Sequence, residues 1–102
     1  MSTMHPLHPN VIAVITNLFA PDEHKAITKI LIEECNAKKL YASSEKGVER
    51  IQLAVLKLSN GDIDKFLAAV ELAQLDWRDV LVAAGFGNNL DAHSKWVNKT
   101  IK

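Results

Sequence analysis

One thiol and four imidazoles are the side chains of this sequence that could most readily supply a nucleophile, a general base or a metal ligand. Cys35 follows two glutamates, and neighbouring acids raise a thiol pKa, which is the wrong direction for a nucleophile. His24 and His93 each follow acidic residues and are expected at the surface, whereas His5 and His8 form a pair without a third ligand. The sequence therefore predicts no catalytic residue, no cofactor-binding residue and no metal site.

Short motifs that carry common chemistries are also missing from the sequence. It contains no glycine-rich phosphate loop before a helix, no HExxH, no CxxC and no GxSxG. Its one glycine-dense segment, residues 85–89, follows a predicted helix, which is typical of a helix end and a turn. Polar loop residues beside aromatic rings could still line a small site. A ligand pocket would then be formed by Arg78, Phe86, Asn88, Asn89 and Trp96.

Arg78 has two interpretations. It lies between Asp76 and Asp79, and a planar guanidinium suits a carboxylate, so the spacing predicts a structural ion pair. An anion-binding arginine is the alternative, although the acids around Arg78 disfavour a phosphate ligand.

Helices are predicted to position these residues, because only glycine interrupts the chain after its three prolines, which all lie in the first 21 residues. Apolar spacings of three and four predict helices over 21–35, 45–59, 62–73 and 76–84, with a short last helix over 91–101. Asp62 and Asp76 are predicted N-caps, and Gly61 and Gly85 are predicted left-handed ends. Residues 10–19 suit a strand or a helix, and a helix is predicted because a lone strand would have no partner.

The sequence therefore predicts an all-α protein, a compact bundle of five or six short helices. We expect one domain over residues 1–102, with a flexible N-terminal segment at 1–9. Short connections favour antiparallel packing of sequence neighbours. The core is expected to take the apolar stripe of each helix, Ile63 and Leu67 among them. Six large side chains are expected to fill it: Leu18, Phe19, Tyr41, Phe66, Trp77 and Phe86.

The helix predicted over 45–59 carries apolar side chains on two sides. Leu53 and Leu56 project roughly opposite the main apolar stripe, among charged residues. One interpretation is a central helix that is buried on both sides. The other is a contact surface for a second protein, or for a second copy of the chain, formed by Leu53 and Leu56 with Arg50 and Lys57 around them.

Composition and charge limit the class of partner. The chain has 102 residues, is 48% hydrophobic, and carries 12 basic and 12 acidic side chains, so neither disorder nor a strongly charged partner is favoured. Acids are concentrated in residues 62–79 and lysines in residues 92–102. This asymmetry fits helix-end electrostatics, or a basic last helix that docks on an acidic face of the same chain or of a neighbouring one.

The expected compartment is the cytoplasm. A single cysteine gives no sign of disulfide chemistry, and residues 2–10 lack the lysine or arginine that precedes the apolar run of a secretory signal. The apolar run at 11–15 is too short to span a membrane.

Two segments resemble a known group of proteins. They are ERIQLAVLKLSNGD at residues 49–62 and DWRDVLVAAGF at residues 76–86. Both are similar to segments of small uncharacterised bacterial proteins of the kind studied by structural genomics, and the similarity extends over about residues 49–96. The resemblance implies a bacterial, cytoplasmic and helical protein of unknown function, and it transfers no catalytic or binding residue.

These observations predict a non-enzymatic protein–protein interaction module that associates with itself, as a homodimer, or with another protein. A small-molecule-binding helical domain is the alternative. A DNA-binding regulator is disfavoured, because the helix predicted over 62–73 is acidic and that over 76–84 carries one arginine against two aspartates. No cofactor and no membrane partner are expected.

Overall fold

The chain is all-α in the ranges that the structure describes. The structure is a computed structural model, and it describes residues 7–40, 45–87 and 91–101. Six helices lie in those ranges, so the prediction of a bundle of five or six helices is confirmed. They are α1 (Pro9–Leu18), α2 (Pro21–Glu34), α3 (Ala37–Leu40), α4 (Glu45–Ser59), α5 (Ile63–Ala83) and α6 (Ala92–Thr100).

The α1 helix confirms the choice of helix over strand for this part of the chain. Pro9 occupies its first turn, and His8 Nδ1 accepts a hydrogen bond from the Asn10 backbone N–H at 3.0 Å, as an N-cap does. Leu7 is buried in the core. Of the segment 1–9, for which flexibility is predicted, the structure describes residues 7–9, where Leu7 packs inside the bundle and Pro9 begins α1; residues 1–6 lie outside the described residues.

A single residue interrupts α5 at the predicted boundary between two helices. Asp76 has φ −157° and ψ 96°, and its carboxylate accepts a hydrogen bond from the Arg78 backbone N–H at 3.0 Å. Asp62 caps the start of α5 in the same way, by accepting from the Lys65 backbone N–H at 3.0 Å. The helices predicted over 62–73 and 76–84 therefore both exist, and they join at Asp76 without a loop.

The central element is α4, which packs against α5 over its length and also contacts α1, α3 and α6. Residues 51–56 are all buried, because a helix with neighbours on several sides keeps little solvent-facing surface. The buried amide of Gln52 is satisfied, since its Nε2 donates to the Cys35 carbonyl oxygen at 2.8 Å. This contact joins α4 to the end of α2.

Three of the six predicted core fillers, Phe19, Phe66 and Phe86, are buried. Leu18 and Trp77 are half-buried, and Tyr41 lies outside the described residues. The assignment of Ile63 and Leu67 to the core is wrong, because both are exposed. The buried side of α5 carries a different set of residues, namely Phe66, Ala69, Val70 and Ala73.

Candidate functional site

Leu53 and Leu56, the centre of the predicted contact surface, lie in the core. Both side chains are 0% exposed, because the other helices surround α4. The interpretation of α4 as a central helix buried on both sides is therefore correct. A contact surface at these two leucines is excluded in the folded chain, since a partner could reach them only by opening the core.

The two cations predicted to surround those leucines bind the end of α5 instead. Lys57 Nζ donates to the Ala84 carbonyl oxygen at 2.6 Å, and Arg50 Nη2 donates to the Phe86 carbonyl oxygen. Carbonyl groups at the end of a helix lack partners within the helix and carry partial negative charge. Lys57 therefore joins α4 to the C-cap of α5, and Arg50 joins α4 to the turn that follows it.

An aromatic cluster surrounds this same helix end. The centroid of the buried Phe86 ring lies 6.0 Å from that of Trp96 and 6.2 Å from that of His93. Lys57 Nζ lies 5.1 Å from the centroid of Phe86. We term these residues, together with Arg50, the Phe86 junction. The structure thus unites Phe86 and Trp96 of the predicted ligand pocket with Arg50 and Lys57 of the predicted interface.

Two buried polar atoms of the Phe86 junction, Arg50 Nε and His93 Nδ1, have no hydrogen-bond partner among the residues that the structure describes. Buried polar groups are normally paired, so both atoms have unused hydrogen-bonding capacity. Arg50 Nε can only donate, whereas His93 Nδ1 donates or accepts according to the tautomer of the ring. An acceptor oxygen of a small molecule would satisfy the arginine.

Arg78 makes its contacts within its own helix and not with the Phe86 junction, as far as the described residues show. Its Nε lies 3.8 Å from Asp76 Oδ1, and its guanidinium lies 5.9 Å from the Trp77 ring. This is the structural ion pair that the sequence predicts, and its exposure to solvent makes its contribution to stability small. Asn88 and Asn89, the other members of the predicted pocket, lie outside the described residues.

Cys35 is a core cysteine. Burial, with a smaller contribution from Glu34, raises the pKa of its thiol to about 12. The sequence predicts this direction from the neighbouring acids, but the larger cause is desolvation of the thiolate. Burial therefore disfavours the thiolate, which is the form in which a cysteine acts as a nucleophile.

The histidines that the structure describes have separate local roles. His8 caps α1, the ring of His24 hydrogen bonds to the Phe19 carbonyl oxygen through Nε2 at 2.7 Å, and His93 packs on Phe86. His5 lies outside the described residues. Over the described ranges, no three histidine, cysteine, aspartate or glutamate side chains come close enough together to hold a metal ion.

An exposed apolar row runs along the outer side of α5. Ile63, Leu67, Glu71 and Leu75 follow one another at intervals of four residues, so they form one ridge of the helix surface, termed here the α5 ridge. Ile63 is 36% exposed, Leu67 45% and Leu75 79%, and Glu71 is exposed as well. This surface is not evident in the sequence, because the spacing of Ile63 and Leu67 predicts that both lie in the core. Leu75, which fits no predicted core stripe, was the available signal.

Comparisons of the chain with protein families, with curated proteins and with solved structures found no match. Within the described ranges, no helix combines the length and the apolar content that crossing a membrane requires. A function must therefore be inferred from the geometry of the Phe86 junction and of the α5 ridge.

Proposed function

We propose that this chain is a non-enzymatic protein-interaction module whose contact surface is the α5 ridge. The observation that carries the proposal is the exposure of Leu75, at 79%, on the same row as Leu67 at 45%. Single exposed apolar side chains are ordinary on protein surfaces, whereas several on one helix row, with a charged residue among them, are typical of a contact surface. The function is to bind another folded chain along this row.

Burial of the α5 ridge alone supplies too little free energy for stable association, so the partner must make further contacts. Full burial of a leucine is worth about 1.5–3 kcal/mol, so covering the exposed fractions of Leu67 and Leu75 supplies about 2–4 kcal/mol. Association costs at least about 4 kcal/mol in lost translational and rotational freedom. The α5 ridge must therefore work with flanking contacts, and a partner with complementary charge is favoured.

Binding is favoured over catalysis by the state of the reactive groups. The Cys35 thiol is buried with a raised pKa, and the three described histidines are dispersed. The exposed carboxylates of Asp64 and Glu71, on or beside the α5 ridge, disfavour nucleic acid as the partner. A bacterial source, a cytoplasmic location and a homodimer remain predictions that fit this function.

Photo-crosslinking from the α5 ridge tests the proposal. With the photoreactive change Leu75→p-benzoylphenylalanine in cells that make the protein, we expect a covalent adduct, because a covered ridge holds a partner within reach of residue 75. The matched control is the same change at Asn98, an exposed residue of α6. The proposal fails if residue 75 gives no adduct while the variant is folded, or if both positions give the same adducts. The mass of the adduct distinguishes a second copy from a different protein.

A second function, the binding of a small acidic ligand, is favoured by Arg50 Nε at the Phe86 junction, which is buried and has no hydrogen-bond partner within the described ranges. Occupation of the site by a carboxylate or a phosphate at about one hundred times its Kd would stabilise the fold by about 2.7 kcal/mol and raise the Tm by about 10–20 °C. The measurement is thermal unfolding with succinate, citrate or inorganic phosphate. Arg50→Lys keeps the charge but removes the planar fork, so it should abolish the shift. No shift in the unmodified protein would contradict this function.

A further inference from the structure

A second surface, on α2, carries an open depression between two rows of side chains. It is a shallow groove of about 480 Å³ on the outer side of that helix. Its walls are two rows of side chains at intervals of four, and the groove between those rows is termed the α2 groove. One row consists of His24, Thr28 and Ile32, and the other of Lys25, Lys29 and Glu33.

We propose that the α5 ridge of one copy of this chain packs into the α2 groove of a second copy. The inference rests on the proposed function and names its partner. Ridge and groove are both built from rows of every fourth residue, and the packing of such rows is the commonest class of helix–helix contact, with axes crossing near −50°. Successive side chains along both rows are about 6 Å apart, so the leucines of the ridge match the gaps of the groove.

Charge complementarity supports the α2 groove as the partner surface. Glu71 stands between Leu67 and Leu75 on the ridge, and Lys25 and Lys29 are exposed on one wall of the groove. Neither lysine forms an ion pair within the part of the chain that the structure describes. Their methylene stems can cover the leucines while their ammonium groups reach Glu71.

Glu33 sets the register of this contact. It lies at the far end of the same wall as Lys25 and Lys29, where its carboxylate repels Glu71. Glu71 is therefore placed beside the lysines, which are one and two helical turns towards the start of α2.

The positions of α2 and α5 in one chain allow a closed dimer. The two helices are neighbours, since Gln74 Nε2 of α5 donates to the Glu34 carbonyl oxygen of α2 at 2.9 Å. Each copy thus carries a ridge and a groove on adjacent helices. A two-fold axis then forms two equal contacts, each ridge in the opposite groove, and the assembly ends at two copies.

The basic last helix is a poorer partner for the ridge. In the chain α6 packs against α1 and α4, and its exposed residues are Lys95, Asn98 and Lys99. Those side chains offer lysines for Glu71 but no large apolar wall for Leu67 and Leu75. If α6 were the partner surface, Lys95 and Lys99 would contact Glu71, whereas in the proposed dimer Lys25 and Lys29 contact it.

Sedimentation velocity of the full chain over a range of concentrations, with charge-reversal variants, tests the inference. We expect a dimer, and we expect Glu71→Lys and Lys29→Glu each to raise its dissociation constant about tenfold or more, because each brings like charges together in both contacts. An equimolar mixture of the two variants should regain the original affinity. In the mixed dimer one contact pairs the two reversed charges and the other is unchanged.

Lys95→Glu on α6 is the matched control, with the same change of charge on another exposed helix, and it should leave the dimer unchanged. Circular dichroism melting checks that the variants fold, which is expected because all three residues are exposed. A chain that stays monomeric, a mixture without recovery, or a loss of affinity with Lys95→Glu in place of Lys29→Glu overturns the inference. An adduct of residue 75 with a different protein alone also overturns it while the proposed function stands.

Discussion

Leu56→Ala is expected to lower the free energy of unfolding by about 2–5 kcal/mol. Leu56 is 0% exposed in the central helix, so removal of three carbon atoms leaves a cavity that the surrounding helices fill only in part. Urea denaturation followed by circular dichroism measures the loss. Since small domains are stable by only about 5–15 kcal/mol, this one substitution would remove a large share of the total.

Leu75→Ala is the matched control for that experiment. It removes the same atoms from a leucine that is 79% exposed, and the expected change in the free energy of unfolding is within about 0.5 kcal/mol. Similar losses for the two variants would contradict the assignment of Leu56 to the core and of Leu75 to the surface. The control is measured at a concentration where the chain is monomeric, so that loss of the dimer does not enter the comparison.

Gly61→Ala is expected to destabilise the protein more than Gly85→Ala. Both glycines have a left-handed backbone, with φ of +83° and +81°, so alanine carries a cost of about 1–2 kcal/mol at either position. At residue 61 the added Cβ would also lie 2.6 Å from the Leu18 carbonyl oxygen. At residue 85 the nearest atom is the flexible Lys57 Nζ, at 3.7 Å.

The difference between the two glycine variants therefore measures the close approach of α1 to the turn after α4. Overpacking adds about 1–3 kcal/mol, so Gly61→Ala should cost about 2–5 kcal/mol in total. Thermal unfolding of both variants against the unmodified chain gives the comparison. Equal melting temperatures for the two would show that the backbone of Leu18 does not limit the space at residue 61.

Features that depend on near neighbours in the sequence were predictable. The caps at Asp62 and Asp76 follow from residue type and from the apolar spacing that comes after them, and the left-handed Gly61 and Gly85 follow from their places at helix ends. Each of these depends on residues within about one helical turn.

Features that depend on distant residues were not predictable from the sequence. Arg50 and Lys57 bind carbonyl oxygens that are 36 and 27 positions away, and helical periodicity carries no information about such pairs. The same limit explains why the sequence predicts a buried Leu67, which is exposed, and why it leaves the burial of Leu53 undecided. Periodicity identifies a stripe, but whether a stripe is covered depends on which helix lies opposite, and α4 is covered on more sides than α5.

Because Cys35 is buried, its reaction with a thiol reagent reports on transient opening of the protein core. It is the only thiol in the chain, its side chain is fully enclosed, and its carbonyl group is tied to Gln52 of the central helix. A thiol reagent in solution can react only with molecules whose interior has opened, so each labelled molecule counts one such event. At reagent concentrations where every opening leads to labelling, the rate of labelling equals the opening rate of the core, without an added probe.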